Sequence, residues 1–318
     1  MSDAADRTIA TPRMDTLGYG LAIAGAALFS TKGIFIKLAY ASGIGPETVL
    51  ALRMIVALPV YVFIAVLILL REPSLRAKLS ARATIAAISI GILGYYVASS
   101  FDFWGLSFVT AQYERLVLFT YPFFTLALGV MFFGDTMNWR TVPGLLTSYA
   151  GLLVIFGWNL ATNPNGLLEG TVLVLLSGLT FALYQHLAKK SMNRIGARLF
   201  TCIGMSAAGV VAIAHNTIQH GATSYAGLSS EVWFYGLCLG ILGTVLPSFL
   251  LNTAISRIGA RATSSTGPFG PVVTIVLAVL ILGEPFTQYH AIGTMLVILG
   301  VLWFSRAERN GKRQLVAA

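Results

Sequence analysis

Ten apolar stretches follow one another along the chain, at 17–38, 47–70, 83–105, 110–133, 141–159, 167–188, 197–216, 232–256, 262–282 and 286–305. A helix crossing about 30 Å of hydrocarbon needs about 20 such residues. In lipid every backbone N–H and C=O must be paired internally, and helices of this length do so. The sequence therefore predicts an all-α, polytopic membrane protein of ten transmembrane helices. Charged residues make up only 10% of the chain, against about 25% in a soluble domain. The first stretch is too long for a secretory signal core and is read as a helix that stays.

The basic residues fall on one side of this arrangement. Seventeen of the 21 Lys and Arg lie in the tails and in alternate links, among them Arg71–Arg82, Arg140, Lys189–Arg198, Arg257 with Arg261, and Arg306–Arg313. If ten helices alternate, the five opposite links contain none, including the long one at 215–231. Cytoplasmic links collect Lys and Arg. Both termini are therefore expected in the cytoplasm and the chain in a bacterial inner membrane. The formal net charge of +9 would suggest nucleic acid in a soluble protein. Here the bases sit between apolar segments, so the expected partners are a lipid bilayer and a small-molecule substrate, without nucleic acid. The two cysteines, Cys202 and Cys238, build no disulfide framework. Neither they nor the four histidines have metal-site spacing, so neither metal nor cofactor is expected.

The chain also repeats itself. Residues 110–151 and 259–300 align at a constant offset. Pro122 falls on Pro271, Thr125 on Thr274, Gly134-Asp135 on Gly283-Glu284, Gly144 on Gly293, and Gly151 on Gly300. The earlier helices of the two halves match much more weakly. An offset of five helices inserts the second copy upside down, a recurring plan in secondary transporters with the site near the midplane. The expected units are a tail at 1–16, a first repeat at 17–159, an inverted second repeat at 160–305, and a basic tail at 306–318. Gly144 and Gly151, like Gly293 and Gly300, share one helix face and are read as packing seams.

Three runs carry a resemblance to a known family: ERLVLFTYPFFTLALGVMFFGDTMNW, its echo SSTGPFGPVVTIVLAVLILGEPFTQYHAIGTMLVILGV, and PETVLALRMIVALPV at the start of the second stretch. They resemble the drug/metabolite transporter superfamily in its ten-helix EamA-type branch. The resemblance implies a 5+5 inverted repeat around a central cavity. It also implies a place near bacterial exporters of amino acids, including aromatic ones, and of other metabolites. Glu114-Arg115 departs from the pattern, since many members carry smaller or less charged residues there.

Charge inside hydrocarbon costs roughly 2.5–3.5 kcal/mol per residue at the centre on insertion scales. Lys32, Lys37, Arg53, Asp102, Glu114 and Arg115 are therefore candidates for function. All but Lys32 lie in the outer parts of their helices, where long side chains can snorkel. Arg53, Asp102, Glu114 and Arg115 are expected to form ion pairs or a gate, the arginines pairing with the acids. Lys32 is deeper and heads the substrate-binding candidates, with Thr31, Tyr95, Tyr96, Ser99, Tyr121, Tyr184, Thr244 and Ser248. Pro122, Gly267, Pro268 and Pro271 are expected to break helices beside the cavity. The plainer alternatives are hydroxyls bonded to their own helix and tyrosines in an interfacial belt.

The excess of cations favours cargo bearing a carboxylate. The expectation is a monomeric secondary transporter, working by alternating access and exporting amino acids and related metabolites, with proton coupling open. Efflux or uptake of drugs or other metabolites, and a channel, are the alternatives. An enzyme would need a convergent nucleophile and base or a metal cluster, and the sequence offers neither.

Overall fold

A computed structural model describes residues 15–317 apart from Ser265 and Pro268, with only the backbone given for 259–262, 264 and 308–317. Arg7, Arg13 and the predicted helix breaker Pro268 thus lie outside the described residues.

The helices run in order as α1 Thr16–Ala41, α2 Pro46–Arg71, α3 Ala81–Phe108, α4 Ala111–Phe132 and α5 Trp139–Thr162. Then come α6 Leu167–Ile195 and α7 Ala197–His220. The last three are α8, built from Ser230–Gly240, Ile241–Val245 and Leu246–Ser264, α9 Phe269–Leu282, and α10 Gln288–Ala317. Among the described residues, nine of these can cross a membrane by length and composition, and α9 is a shorter apolar helix. Two expectations change. The backbone at 262–264 continues α8 and does not open the ninth helix. The expected tail after residue 305 continues α10 to Ala317.

Local chemistry sets many boundaries. Side chains of Asp15, Ser80, Thr110 and Ser229 accept from backbone N–H groups of the helices they precede, filling donors that have no intrahelical partner. Gly134 and Gly283 have φ of 73° and 66°, a region open to glycine at little cost. The next residue's N–H then returns to the helix: Asp135 N donates to Gly129 O at 3.0 Å and Glu284 N to Ala278 O at 3.2 Å. Both closures span six residues past a left-handed glycine, at equivalent positions of the repeat.

The chief packing partners lie across the chain's midpoint: α5 on α10, α2 on α7, and α4 on α9. In the same way α1 meets α8 and α9, while α6 meets α3 and α4. The α5–α10 contact runs through the four aligned glycines. A Cβ on Gly151 would stand 2.5 Å from Gly293 O, and one on Gly300 2.6 Å from Gly144 O. Meanwhile Met131, Leu153 and Leu280 are strongly exposed, at 71%, 68% and 76%. That apolar exterior suits hydrocarbon as solvent.

The basic links meet at one end, hereafter the basic end. Arg198 Nη2 donates to Glu72 Oε1 at 3.0 Å, joining the link after α2 to the first turn of α7. Arg257 Nε donates to Asp15 Oδ2 at 2.8 Å, joining the start of α1 to α8. Asp15 also accepts from Gly18 N. The hydrogen bond from Arg257, more than any other contact, holds its carboxyl below the usual carboxylate range.

Candidate functional site

A helix break in α1 starts the site. The helix is interrupted at Thr31, whose hydroxyl donates to Leu28 O at 2.7 Å. Lys32 follows on the inner face and Nζ donates to Asp102 Oδ2 of α3. Both residues are buried, and the ammonium also lies 5.9 Å from the ring centroids of Phe29 and Phe103.

Two arginines flank this pair. Arg53 of α2 stands over the Phe103 ring at 5.0 Å and donates Nη2 to Ser99 Oγ at 3.2 Å. Arg115 of α4 stands over Phe29 at 5.4 Å and reaches Ser30 Oγ at 3.4 Å. A guanidinium packs well against an aromatic face because the ring quadrupole attracts cations. Glu114 turns the other way, towards Gly33: Oε2 lies 3.8 Å from where a Cβ on that glycine would be. Its carboxyl also faces that of Asp102.

The cluster corrects the expected pairing. Asp102 is bonded to Lys32 and to neither arginine, and the arginines are held by hydroxyls and rings. Arg53, Asp102 and Glu114 are buried at 5%, 2% and 1% exposure, so they do not snorkel to an interface. Several polar atoms are left over. Arg53 Nε, Arg115 Nε, Asp102 Oδ1 and Glu114 Oε1 are buried without a hydrogen-bond partner. Such groups are rare and call for a physical explanation.

Below the cluster, α3 and α8 each contain one π-helical turn, at Ile92–Val97 and Ile241–Val245. Both begin within the same four residues, Gly91-Ile92-Leu93-Gly94 and Gly240-Ile241-Leu242-Gly243, at the repeat offset. The weak match of the earlier helices in sequence is strongest at this identical tetrapeptide, which went unnoticed. Such turns recur at functional sites because the extra residue re-aims side chains. Glycine is required for close approach at Gly94, where a Cβ would enter the Tyr184 ring, whereas one on Gly243 would make an ordinary contact 3.6 Å from Lys32 Cα.

These turns place most remaining candidates. Tyr95 and Tyr184 join through their hydroxyls, with ring centroids 5.1 Å apart. Tyr121 meets Phe181 edge-on at 5.6 Å. Ser248 bonds Thr244 O at 2.7 Å and approaches the Tyr61 hydroxyl at 3.1 Å, while Thr244 returns to Leu239 O. Thr31, Thr244 and Ser248 thus use their own helices in the plainer way. Tyr96 leaves the group, contacting His215 Nδ1 at 2.8 Å. With His215, Glu47, Ser100 and Trp104 it lines a separate pocket of about 230 Å³ near the ends of α2 and α3 away from the basic end.

Of the helix breakers, Pro122 sits in the first turn of the second segment of α4, which starts at Tyr121 after a break at Phe119–Thr120. Thr120 Oγ1 takes the Val117 carbonyl there at 2.7 Å. Gly267 lies in the turn between α8 and α9, and Pro271 is buried inside α9. Phe29, Phe103, Ser30 and Tyr61 were missed. They are ordinary helix residues in sequence, and only the fold brings them to the charges.

Comparison with known proteins gives the family. The description EamA-like transporter family matches residues 16–157 and again 168–306. The transporter YcbK of Bacillus subtilis is 29% identical over 91% of this chain and 93% of its own length. A protein of Streptantibioticus cattleyicolor, named a probable terminal-alkyne amino-acid exporter, is 24% identical over 66% of this chain and 69% of its own. A solved crystal structure shares the fold with a TM-score of 0.59 at 18% identity, covering 94% of this chain and 98% of that one. The chain is a multi-pass membrane protein and belongs to the EamA-like transporter family, within the drug/metabolite transporter superfamily.

Proposed function

We propose that this transporter is a secondary carrier of zwitterionic amino acids, moving them out of the cell by alternating access. The observation that carries the reading is the set of orphaned polar atoms in the buried cluster. Two are guanidinium N–H donors, on Arg53 and Arg115, and two are oxygens of the facing carboxyl groups of Asp102 and Glu114, which have only each other as partners. An α-amino acid brings a carboxylate for the donors and an ammonium for these oxygens. A buried group left unpaired costs about 1–3 kcal/mol, more when charged, so such cargo would relieve a standing penalty. The excess of cations in the cluster also favours the carboxylate end.

The support for alternating access is the doubling of the family match and the shared π-turns and glycine closures of the two halves. Five helices per half make the second an inverted copy, which gives two related states that open to opposite faces. The one-sided basic residues support a cytoplasmic place for both termini. The amino-acid relative supports the substrate class and the export direction.

The test is counterflow in proteoliposomes. Vesicles preloaded with each amino acid are challenged with labelled amino acid outside, with and without a proton gradient. Saturable exchange of neutral amino acids, lost in Arg53→Met and Arg115→Met, is expected. Exchange of another solute class with no amino-acid exchange would overturn the substrate assignment. Flux without counterflow would make the protein a channel.

A further inference from the structure

The link after α9 closes on the other half. Glu284 Oε1 accepts from Ala111 N at 2.7 Å and Oε2 from Gln112 N at 3.1 Å. Gln112 Nε2 adds a bond to Pro285 O at 3.3 Å. One carboxylate thus caps the first turn of α4, where N–H groups are unpaired and the helix dipole favours negative charge. The clamp joins the two halves at the end away from the basic links.

The repeat offset makes Asp135 the counterpart of Glu284, and Ala260 and Arg261 the counterparts of Ala111 and Gln112. Asp135 follows its own left-handed glycine with the same backbone closure. It is ready in shape but exposed. The first half breaks between α3 and α4, where Val109 and Thr110 are extended and Thr110 caps α4. In the second half the helix runs on from Leu246 to Ser264, straight through the counterparts Ile258 and Gly259. The N–H groups that Asp135 would cap are spent inside a continuous helix. Glycine inside a helix is destabilising by roughly 0.5–1 kcal/mol relative to alanine, whereas at an N-cap it is well tolerated.

We infer that Glu284 and Asp135 are alternating latches, and that Ile258–Gly259 is a helix-to-turn switch. In the structure described here Glu284 holds α4 and the α8 helix is continuous. In the opposite state Glu284 lets go, the helix breaks at Gly259, and Asp135 caps the new first turn of α9 at the basic end. The inference rests on the alternating-access reading of the proposed function. Its test reads cross-links without substrate, so either idea can fail alone.

The experiment uses the full-length protein in liposomes, with Cys202→Ser and Cys238→Ser as background. Gln112→Cys with Pro285→Cys reports the far latch, and Arg261→Cys with Thr136→Cys, its counterpart by offset, reports the basic-end latch. A short bifunctional maleimide should join the first pair in most molecules. Adding Glu284→Gln or Glu284→Ala should shift yield from the first pair to the second by about five- to ten-fold, the scale of a lost cap. Asp135→Asn should shift it back. In a protein carrying all four cysteines, the two links should exclude one another. Both links in one molecule, or yields indifferent to Glu284 in a protein that stays monodisperse, would overturn the switch.

Discussion

Removing the Lys32 ammonium while keeping its volume, as in Lys32→Met, should destabilise the protein far more than an ordinary surface change. The Lys32 and Asp102 side chains are only 9% and 3% exposed, so Asp102 would lose its hydrogen-bonded partner without gaining water. Breaking a buried pair from one side costs about 3–5 kcal/mol. The two ring contacts add about 0.5–1 kcal/mol each. Arg53 and Arg115 remain nearby to compensate Asp102, so the lower end, about 3 kcal/mol, is the expected loss. That corresponds to roughly a hundredfold in the folded population. Asp102→Leu alone should cost a similar amount, because it strands the lysine. The double variant Lys32→Met/Asp102→Leu should recover to within about 1 kcal/mol, since apolar residues replace a buried pair at little cost. Leucine already stands at the repeat counterpart of Asp102, position 251. Denaturant midpoints of the four proteins in detergent give the double-mutant cycle, and counterflow gives the function. The double variant should be stable and inactive. Two single variants with losses under about 1 kcal/mol that simply add would refute the claim that this pair is buried and coupled.

The seam between α5 and α10 supplies a second expectation. Gly300→Val should cost about 1–3 kcal/mol by overpacking, because even its Cβ would lie 2.5 Å from Ser148 N. Gly157→Ala, on the same α5 but with nothing within 4 Å of the new Cβ, should be neutral or slightly stabilising in the same thermal assay. At the basic end, Asp15→Asn should lower the melting temperature near neutral pH. The Asp15 carboxyl titrates below its ordinary value in the folded state, so its contribution is present above the unfolded pKa and fades as pH falls through the folded one. The difference between variant and parent should therefore vanish in acid and shrink in high salt. Finally, Arg53→Lys and Arg115→Lys should each cut amino-acid counterflow by tenfold or more, because an ammonium cannot reproduce the guanidinium fork against its ring and hydroxyl. Retained exchange in both would remove the arginines from substrate binding.

Much of the fold was legible because lipid imposes a simple rule on sequence. Apolar runs and one-sided bases marked the helices, and Gly144, Gly151, Gly293 and Gly300 marked a close contact. Pairing inside the cluster was not legible. Lys32 and Asp102 stand 70 residues apart, and hydropathy says that a charge is costly without saying which neighbour relieves it. Arginine–carboxylate pairing was the reasonable expectation, but the fold offered Arg53 and Arg115 aromatic faces and serines instead. The π-turns were hidden for another reason: Gly-Ile-Leu-Gly reads as plain helix, and only its recurrence at the repeat offset distinguishes it. The start of α9 was misplaced because residues 262–264 suit either helix, and continuity with α8 decided the matter.

The glycine contact between α5 and α10 has a consequence for how the protein holds together. Hydrocarbon tails are as greasy as leucine, so two helices in a bilayer gain little by hiding leucines from it. Attraction must come from peptide groups touching peptide groups, and that falls off within a fraction of an ångström. Four hydrogen atoms, one on each glycine where other residues carry carbon, thus decide whether these helices adhere or drift apart. A single methyl group would act there as a wedge.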